Sequence, residues 1–183
     1  MAIEIEAKLK VDSHDAVEAR LALLGARHLG RRTETDTFFD NGAIAHQDKC
    51  LRLRAQTQDG TTRYILAFKG PKAPDMLKKR QEVQLEVHSR DDAVEFLASL
   101  GFKPVMVLQK RRSLWQFNRC EVALDEIPIL GTYIEIEGPD NDTIIDTQNQ
   151  LSLGHLSHIP RSYAGLIRTR LAAVGDDRTE ILF

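Results

Sequence analysis

Ile3-Glu4-Ile5-Glu6-Ala7-Lys8-Leu9-Lys10-Val11 alternates without a break between aliphatic and charged residues. Side chains along a strand repeat every two residues. Ile3, Ile5, Ala7, Leu9 and Val11 therefore share one face, and Glu4, Glu6, Lys8 and Lys10 share the other. The direct reading is a half-buried strand. Taken alone, its charged face would be ordinary solvated surface; the other strands decide whether it stays so.

The segment after this strand, Asp12 to Gly25, reads as a capped helix with Asp12 or Ser13 at its start. Val17, Leu21 and Leu24 lie on one face, and Gly25 is the stop. Val87 to Gly101 repeats the pattern. Asp15-Ala16-Val17-Glu18 matches Asp92-Ala93-Val94-Glu95, and Leu24-Gly25 matches Leu100-Gly101. A second alternating strand, Arg80 to Ser89, stands ahead of that helix and sets Glu82 where Glu6 stands in the first copy. Each copy continues through β-rich segments and closes on Gly-Pro, at Gly70-Pro71 and Gly138-Pro139. Turn signals at Asn41-Gly42 and Asp59-Gly60 separate the strands. The expectation is one duplicated domain over residues 1–183, mainly antiparallel β (α+β), with halves of about 1–71 and 80–139. Its helices lie outside, the last of them within residues 141–175.

Charge follows the same alternation elsewhere. Arg52 and Arg54 share a face, as do Arg63 and Lys69, Arg80, Glu82 and Glu86, Lys110 and Arg112, Glu121 and Asp125, and Glu135 and Glu137. The opposite faces are aliphatic (Ile3/Ile5, Leu51/Leu53, Val83/Leu85, Ile134/Ile136), and amphipathic helices can cover them from outside. If about eight strands close into a barrel, the charged faces line an interior of roughly ligand-sized width. Such an interior is costly when its charges lack partners, so it is expected to be wet and to hold something charged. Carboxylates without His or Cys suit hard divalent cations such as Mg²⁺ or Mn²⁺. Converging Arg and Lys suit phosphate oxygens. One wall with Arg52, Arg54 and Lys69 and another with Asp125, Glu135 and Glu137 describe a polyphosphate bound with its metal.

These residues resemble the CYTH domain family, the triphosphate tunnel metalloenzymes. Glu4 to Lys8 looks like its ExExK signature. "LRLR" (Leu51–Arg54), "FKGP" (Phe68–Pro71), "RQE" (Arg80–Glu82), "KRR" (Lys110–Arg112), "LDEI" (Leu124–Ile127) and "LGTYIEIEG" (Leu130–Gly138) follow in family order. ExExK alone is a weak motif; the ordered set is specific. The resemblance implies a closed eight-stranded antiparallel β-barrel, the triphosphate tunnel, with helices packed outside. It implies triphosphate-binding roles for Lys8, Arg52, Arg54, Lys69, Lys110 and Arg112. It implies metal-ligand roles for Glu4, Glu6, Glu82, Asp125, Glu135 and Glu137, holding two Mg²⁺ or Mn²⁺ ions, with Lys8, Glu135 and Glu137 carrying catalysis. Gln84 stands where members often have a second acid, followed by Glu86. The likeness is greatest to the class IV adenylate cyclase branch, which implies conversion of ATP to cyclic AMP and pyrophosphate. The alternatives are a triphosphatase acting on tripolyphosphate, thiamine triphosphate or a nucleoside triphosphate, and a non-catalytic polyphosphate-binding module.

Composition agrees with a small-molecule partner. A net charge of −2 gives no general attraction to nucleic acid, and no apolar run approaches the ~20 residues of a membrane helix. The first residues lack a signal-peptide core, and two cysteines, Cys50 and Cys120, are too few for a disulfide framework, so a cytoplasmic location is expected. The partners expected are ATP or tripolyphosphate and a second copy in a homodimer, with no nucleic acid and no membrane. His155 and His158 read as loop histidines, and Lys72 to Arg80 reads as a loop at the barrel mouth. Trp115 and Phe117 read as packing residues. Lys10, Arg63, Arg111, Arg119 and Glu121 read as surface charges.

Overall fold

The computed structural model of the chain describes residues 2–183. Eight strands close into an antiparallel barrel: β1 (Ala2–Lys10), β2 (Arg27–Asp40), β3 (Cys50–Gln58), β4 (Thr61–Ala73), β5 (Lys78–Val87), β6 (Lys103–Phe117), β7 (Cys120–Ile127) and β8 (Gly131–Glu137). The order is β2-β3-β4-β5-β1-β8-β7-β6, and β2 pairing with β6 completes the ring. A short ninth strand, β9 (Glu180–Ile181), runs parallel to β6 at Val107–Leu108. Helices α1 (Asp15–Leu23), α2 (Arg90–Ser99), α3 (Asn141–Gln150) and α4 (Tyr163–Ala172) pack against it.

The β1–β5 ladder has the symmetry that the repeat read in the sequence would give it. The alignment that sets Glu6 against Glu82 also sets Ala2 against Lys78. In the β1–β5 ladder Ala2 faces Glu82 and Glu6 faces Lys78, so exchanging the halves leaves the ladder unchanged, with Glu4 opposite Arg80 at its centre. Asp59 and Gly60 both take positive φ (49° and 76°) and join β3 to β4 in the two-residue turn their sequence favours. Asn41-Gly42 makes no such hairpin. The Asp40 carboxylate accepts from the amides of Gly42, Ile44 and Ala45 and opens a longer loop through a 3₁₀ turn at Ala45–Gln47. The expected loop at Lys72–Arg80 shrinks to residues 74–77, and Leu77 within it is buried in the core.

Both repeated helices end as expected, on Gly25 and Gly101 at positive φ (72° and 84°), with Ala26 and Phe102 amides returning to Leu21 and Leu97 carbonyls. The start of α1 differs from expectation. His14 is the N-cap and makes no side-chain cap, while the Ser13 hydroxyl accepts from the Asp15 amide and donates to the Asp15 carboxylate. The aliphatic faces are covered in three places. Val17 and Leu21 of α1 and Ile144 of α3 pack on β1, β7 and β8. Ala93 and Leu97 of α2 pack on Leu51 and Leu53 of β3. Tyr163, Ile167 and Leu171 of α4 meet Met106, Leu108, Ile127 and Tyr133 at one end of the barrel. The expectation that helices cover every aliphatic face fails on β4, β5 and the start of β1. There Ile3, Phe68, Val83 and Leu85 stay 58, 38, 42 and 51% exposed, because α2 leans toward β3 and α1 and α3 toward β8.

Candidate active site in the barrel interior

Glu4, Glu6 and Lys8 alternate on the inner face of β1 and are all buried, while Lys10 at the strand end turns outward to the carbonyls of Leu130 and Thr132. The charged face of the opening strand is thus interior. Closure of the ring brings the sequence-predicted cations and acids together as a continuous set of ion pairs. Arg54 donates to both oxygens of Asp36 at 2.7 and 2.9 Å and lies 2.7 Å from Glu34. Arg52 reaches Asp36 at 3.5 Å. Lys110 sits 3.1 Å from Glu34 and 3.4 Å from Asp125. Arg112 donates to both oxygens of Asp125 at 2.6 Å and to Glu135 at 2.5 Å. Lys8 closes the series 3.1 Å from the other oxygen of Glu135.

Opposing effects set the ionisation of this network. Burial alone would raise the carboxyl pKa values, but the surrounding cations win. Arg54, Lys110, Arg112 and Arg32 hold Glu34 well below the carboxylate range, and Lys8, Arg112, Lys110 and Lys78 do the same for Glu135. Asp36 is lowered likewise by Arg52 and Arg54. Burial also lowers Lys110, helped by Arg112 and against Asp125 and Glu34.

The opposite wall is arranged differently. Lys69 lies 2.6 Å from Glu4 and 3.3 Å from Glu82, and Lys78 pairs with Glu6. Arg80 is spent on structure, donating to the carbonyls of Gly70 at 2.8 Å and Asp48 at 2.6 Å. Glu137 has no cation at salt-bridge distance among the described residues. Glu121 stands directly opposite it on β7, and burial together with repulsion from Glu4, Glu6 and Glu121 lifts its carboxyl to about 7. Among the described residues no three His, Cys, Asp or Glu side chains converge in metal-holding geometry. The chemistry of this corner nevertheless fits a hard cation. Its carboxylates repel one another, and Glu4 keeps a buried oxygen, Oε2, without a hydrogen-bond partner. Across the interior, Arg52 keeps a buried Nε–H without an acceptor.

The two walls enclose a cavity of about 340 Å³ that reaches from Glu121 and Glu137 to the first turn of α4 and the 41–49 loop. Every residue predicted to bind triphosphate or metal lines this cavity except Asp125, which is fully buried and paired with Arg112 and Lys110. Several charged residues of the interior, Arg80 among them, went unassigned. Glu34 and Asp36 alternate with Thr33, Thr35 and Thr37, the same signal that singled out the other strands. Lys78 sits two residues before Arg80 on the same face, hidden by the reading of that stretch as a loop. Glu121, expected at the surface, lines the cavity because β7 places it against Glu137. Arg63 is where it was expected, in an exposed pair with Glu86.

The chain and its fold are similar to known proteins. The chain is 29% identical over 143 residues to a candidate adenylate cyclase of Methanocaldococcus jannaschii, spanning 76% of this chain and 79% of that one. It is 27% identical over 180 residues to adenylate cyclase CyaB of Aeromonas hydrophila, spanning 92% and 90%. Its fold matches PH1819 of Pyrococcus horikoshii with a TM-score of 0.80 at 24% identity, over 91% of this chain and 99% of that one. The family model of the CYTH domain matches residues 2–163, the whole eight-stranded barrel with α1, α2 and α3, and by this match the chain belongs to the CYTH domain family.

Proposed function

We propose that the protein is a divalent-metal-dependent enzyme that acts on a triphosphate chain inside the barrel, and that its reaction is the conversion of ATP to cyclic AMP and pyrophosphate. The observation that carries the reading is the division of one 340 Å³ interior into a wall rich in cations and an acid corner in which burial, then repulsion from Glu4, Glu6 and Glu121, raises Glu137 to about 7. Lys8, Arg52, Lys69, Lys110 and Arg112 bind non-bridging phosphate oxygens. Arg54, enclosed by Glu34 and Asp36, holds the strand that carries Arg52 and supports it from behind. Glu4, Glu6 and Glu137 would hold the metal, with Glu135 and Glu82 beside them, while Asp125 orients Arg112 and Lys110. The relatives' names favour the cyclase reaction, and the family is in general metal dependent.

When bound, Mg²⁺ or Mn²⁺ neutralises charge on the phosphate oxygens, which is most of what phosphoryl transfer requires of a site. The chain's own residues do the rest. The arginines and lysines align the phosphates along the tunnel, and the barrel wall limits the water that can reach them. The purified protein, incubated with ATP or tripolyphosphate and either metal, tests the reading. Cyclic AMP with pyrophosphate supports it, and full turnover in excess chelator contradicts the metal roles. Orthophosphate as the product would make the protein a triphosphatase, and binding without turnover a polyphosphate-binding module.

A further inference from the structure

Lys8, the lysine of the opening strand, is held by a segment more than 150 positions away (153 from Lys8 to Arg161). Its Nζ donates to the Arg161 carbonyl at 3.1 Å, lies 3.1 Å from Glu135, and rests 3.9 Å from the centroid of the Tyr163 ring. The Ile159 amide donates to the Lys8 carbonyl at 2.9 Å, so residues 159–163 are stitched to both the backbone and the side chain of this one residue. Tyr163 is itself fixed. It is buried, it meets the Tyr133 ring edge-on at 5.3 Å, and it begins α4 directly after the Ser162 cap. Lys110 approaches the same ring at 5.6 Å.

A lysine ammonium has three donors on a flexible four-carbon stem. The ammonium of Lys8 donates to the Arg161 carbonyl, pairs with Glu135 and rests on the Tyr163 ring, and it borders the cavity. We propose that Tyr163 is a positioning residue whose ring face holds the Lys8 ammonium where it meets a phosphate oxygen of the substrate. The inference rests on the reading of the cavity as a triphosphate site. It assigns α4 a part in substrate binding beyond filling the barrel end.

Calorimetric titration with tripolyphosphate, to millimolar concentration, tests it on the wild type, Tyr163→Phe, Tyr163→Leu, Lys8→Gln and the Lys8→Gln/Tyr163→Leu double variant. Phe keeps the ring and is expected to bind within about twofold of the wild type. Leu removes the ring and is expected to bind about tenfold more weakly, the scale of a partly desolvated cation–π contact. In the Lys8→Gln background most of that tenfold loss should vanish, because the ring lies 3.9 Å from Lys8 but 5.6 Å from Lys110. Tyr163→Met is a second ring-free variant should Leu not fold. Equal losses with and without Lys8, a Phe variant as weak as Leu, or a Leu variant as tight as wild type would each overturn the inference while leaving the triphosphate reading in place. A wild type that does not bind tripolyphosphate would overturn both.

Discussion

Two arginines two positions apart, each predicted to bind phosphate, sit in different surroundings. Arg54 is buried between Glu34 and Asp36, whereas Arg52 has one long contact and a free Nε–H facing the interior. Arg54→Ala would leave two buried carboxylates short of their main partner. It is expected to cost about 3–5 kcal/mol in denaturant unfolding, which masks any effect on binding. Arg52→Ala should cost less stability than Arg54→Ala, since Asp36 keeps its bidentate Arg54 partner, and weaken triphosphate binding by about 1.5–3 kcal/mol, the worth of a charged hydrogen bond. Arg63→Ala, in an exposed pair, should do neither. Equal stability losses for the Arg52 and Arg54 variants would contradict this division. Glu137 makes a second prediction. Its carboxyl, raised to about 7 by burial and by Glu4, Glu6 and Glu121, must lose its proton to hold a cation. Divalent affinity, measured by titration, should therefore climb between about pH 6 and 8. Glu137→Gln should flatten that climb, lower the rate strongly and raise the metal needed for half activity. An unchanged pH profile in the Gln variant would remove Glu137 from the metal site.

The elements differ in how they begin, and their caps rank them. Ser89 accepts from the Asp92 amide at 3.1 Å to start α2, and Asp140 accepts from the Thr143 amide at 2.7 Å to start α3. Ser13 reaches α1 only at its first residue, accepting from the Asp15 amide at 3.1 Å and donating to the Asp15 carboxylate. Ser89→Ala and Asp140→Ala should each cost about 1 kcal/mol in urea unfolding, and Ser13→Ala no more than a few tenths. A loss at Ser13 as large as at Ser89 would show that the Ser13–Asp15 contact is a working cap after all. Capping was half legible in the sequence. The alignment of the two copies placed both helices and both glycine stops. Which of several polar residues caps a helix depends on the angle at which the preceding strand delivers the chain, and that angle is set by tertiary packing. The same holds for Asn41-Gly42. Its turn chemistry is real, but the three amides gathered by Asp40 open a loop there instead of a hairpin.

At the scale of the whole molecule, the closed barrel sets two groups of acids against each other. Glu34, Asp36 and Glu135 have lowered pKa values in the folded protein. Their contribution is complete above the ordinary carboxylate range and is lost as pH falls through their folded values. Glu137 has the opposite sign. The folded state keeps its proton up to about 7 against an ordinary value of 4.5, so stability falls as pH rises across that window. Without divalent metal, the melting temperature should be highest near pH 5, decline through about pH 7 and level off above it. Mg²⁺ should raise it at pH 8 and leave it unchanged at pH 5. A melting temperature that is flat from pH 5 to 8 would contradict the repulsion at Glu137. By itself the sequence determined the strands, the repeat and which face of each strand is charged, because a two-residue period and a duplicated pattern are local and need no neighbour to be read. It marked Glu4, Glu6, Lys8, Arg52, Lys69, Lys110, Arg112, Glu135 and Glu137 by that period, and would have marked Glu34 and Asp36 the same way. Only the tertiary structure decided that Glu121 faces Glu137, that Arg54 is enclosed while Arg52 is not, and that Tyr163 lies over Lys8. The physical reason is that an ion pair, a repulsion or a ring face is a distance across the barrel. Such distances exist only once β2 meets β6 and the ring has closed.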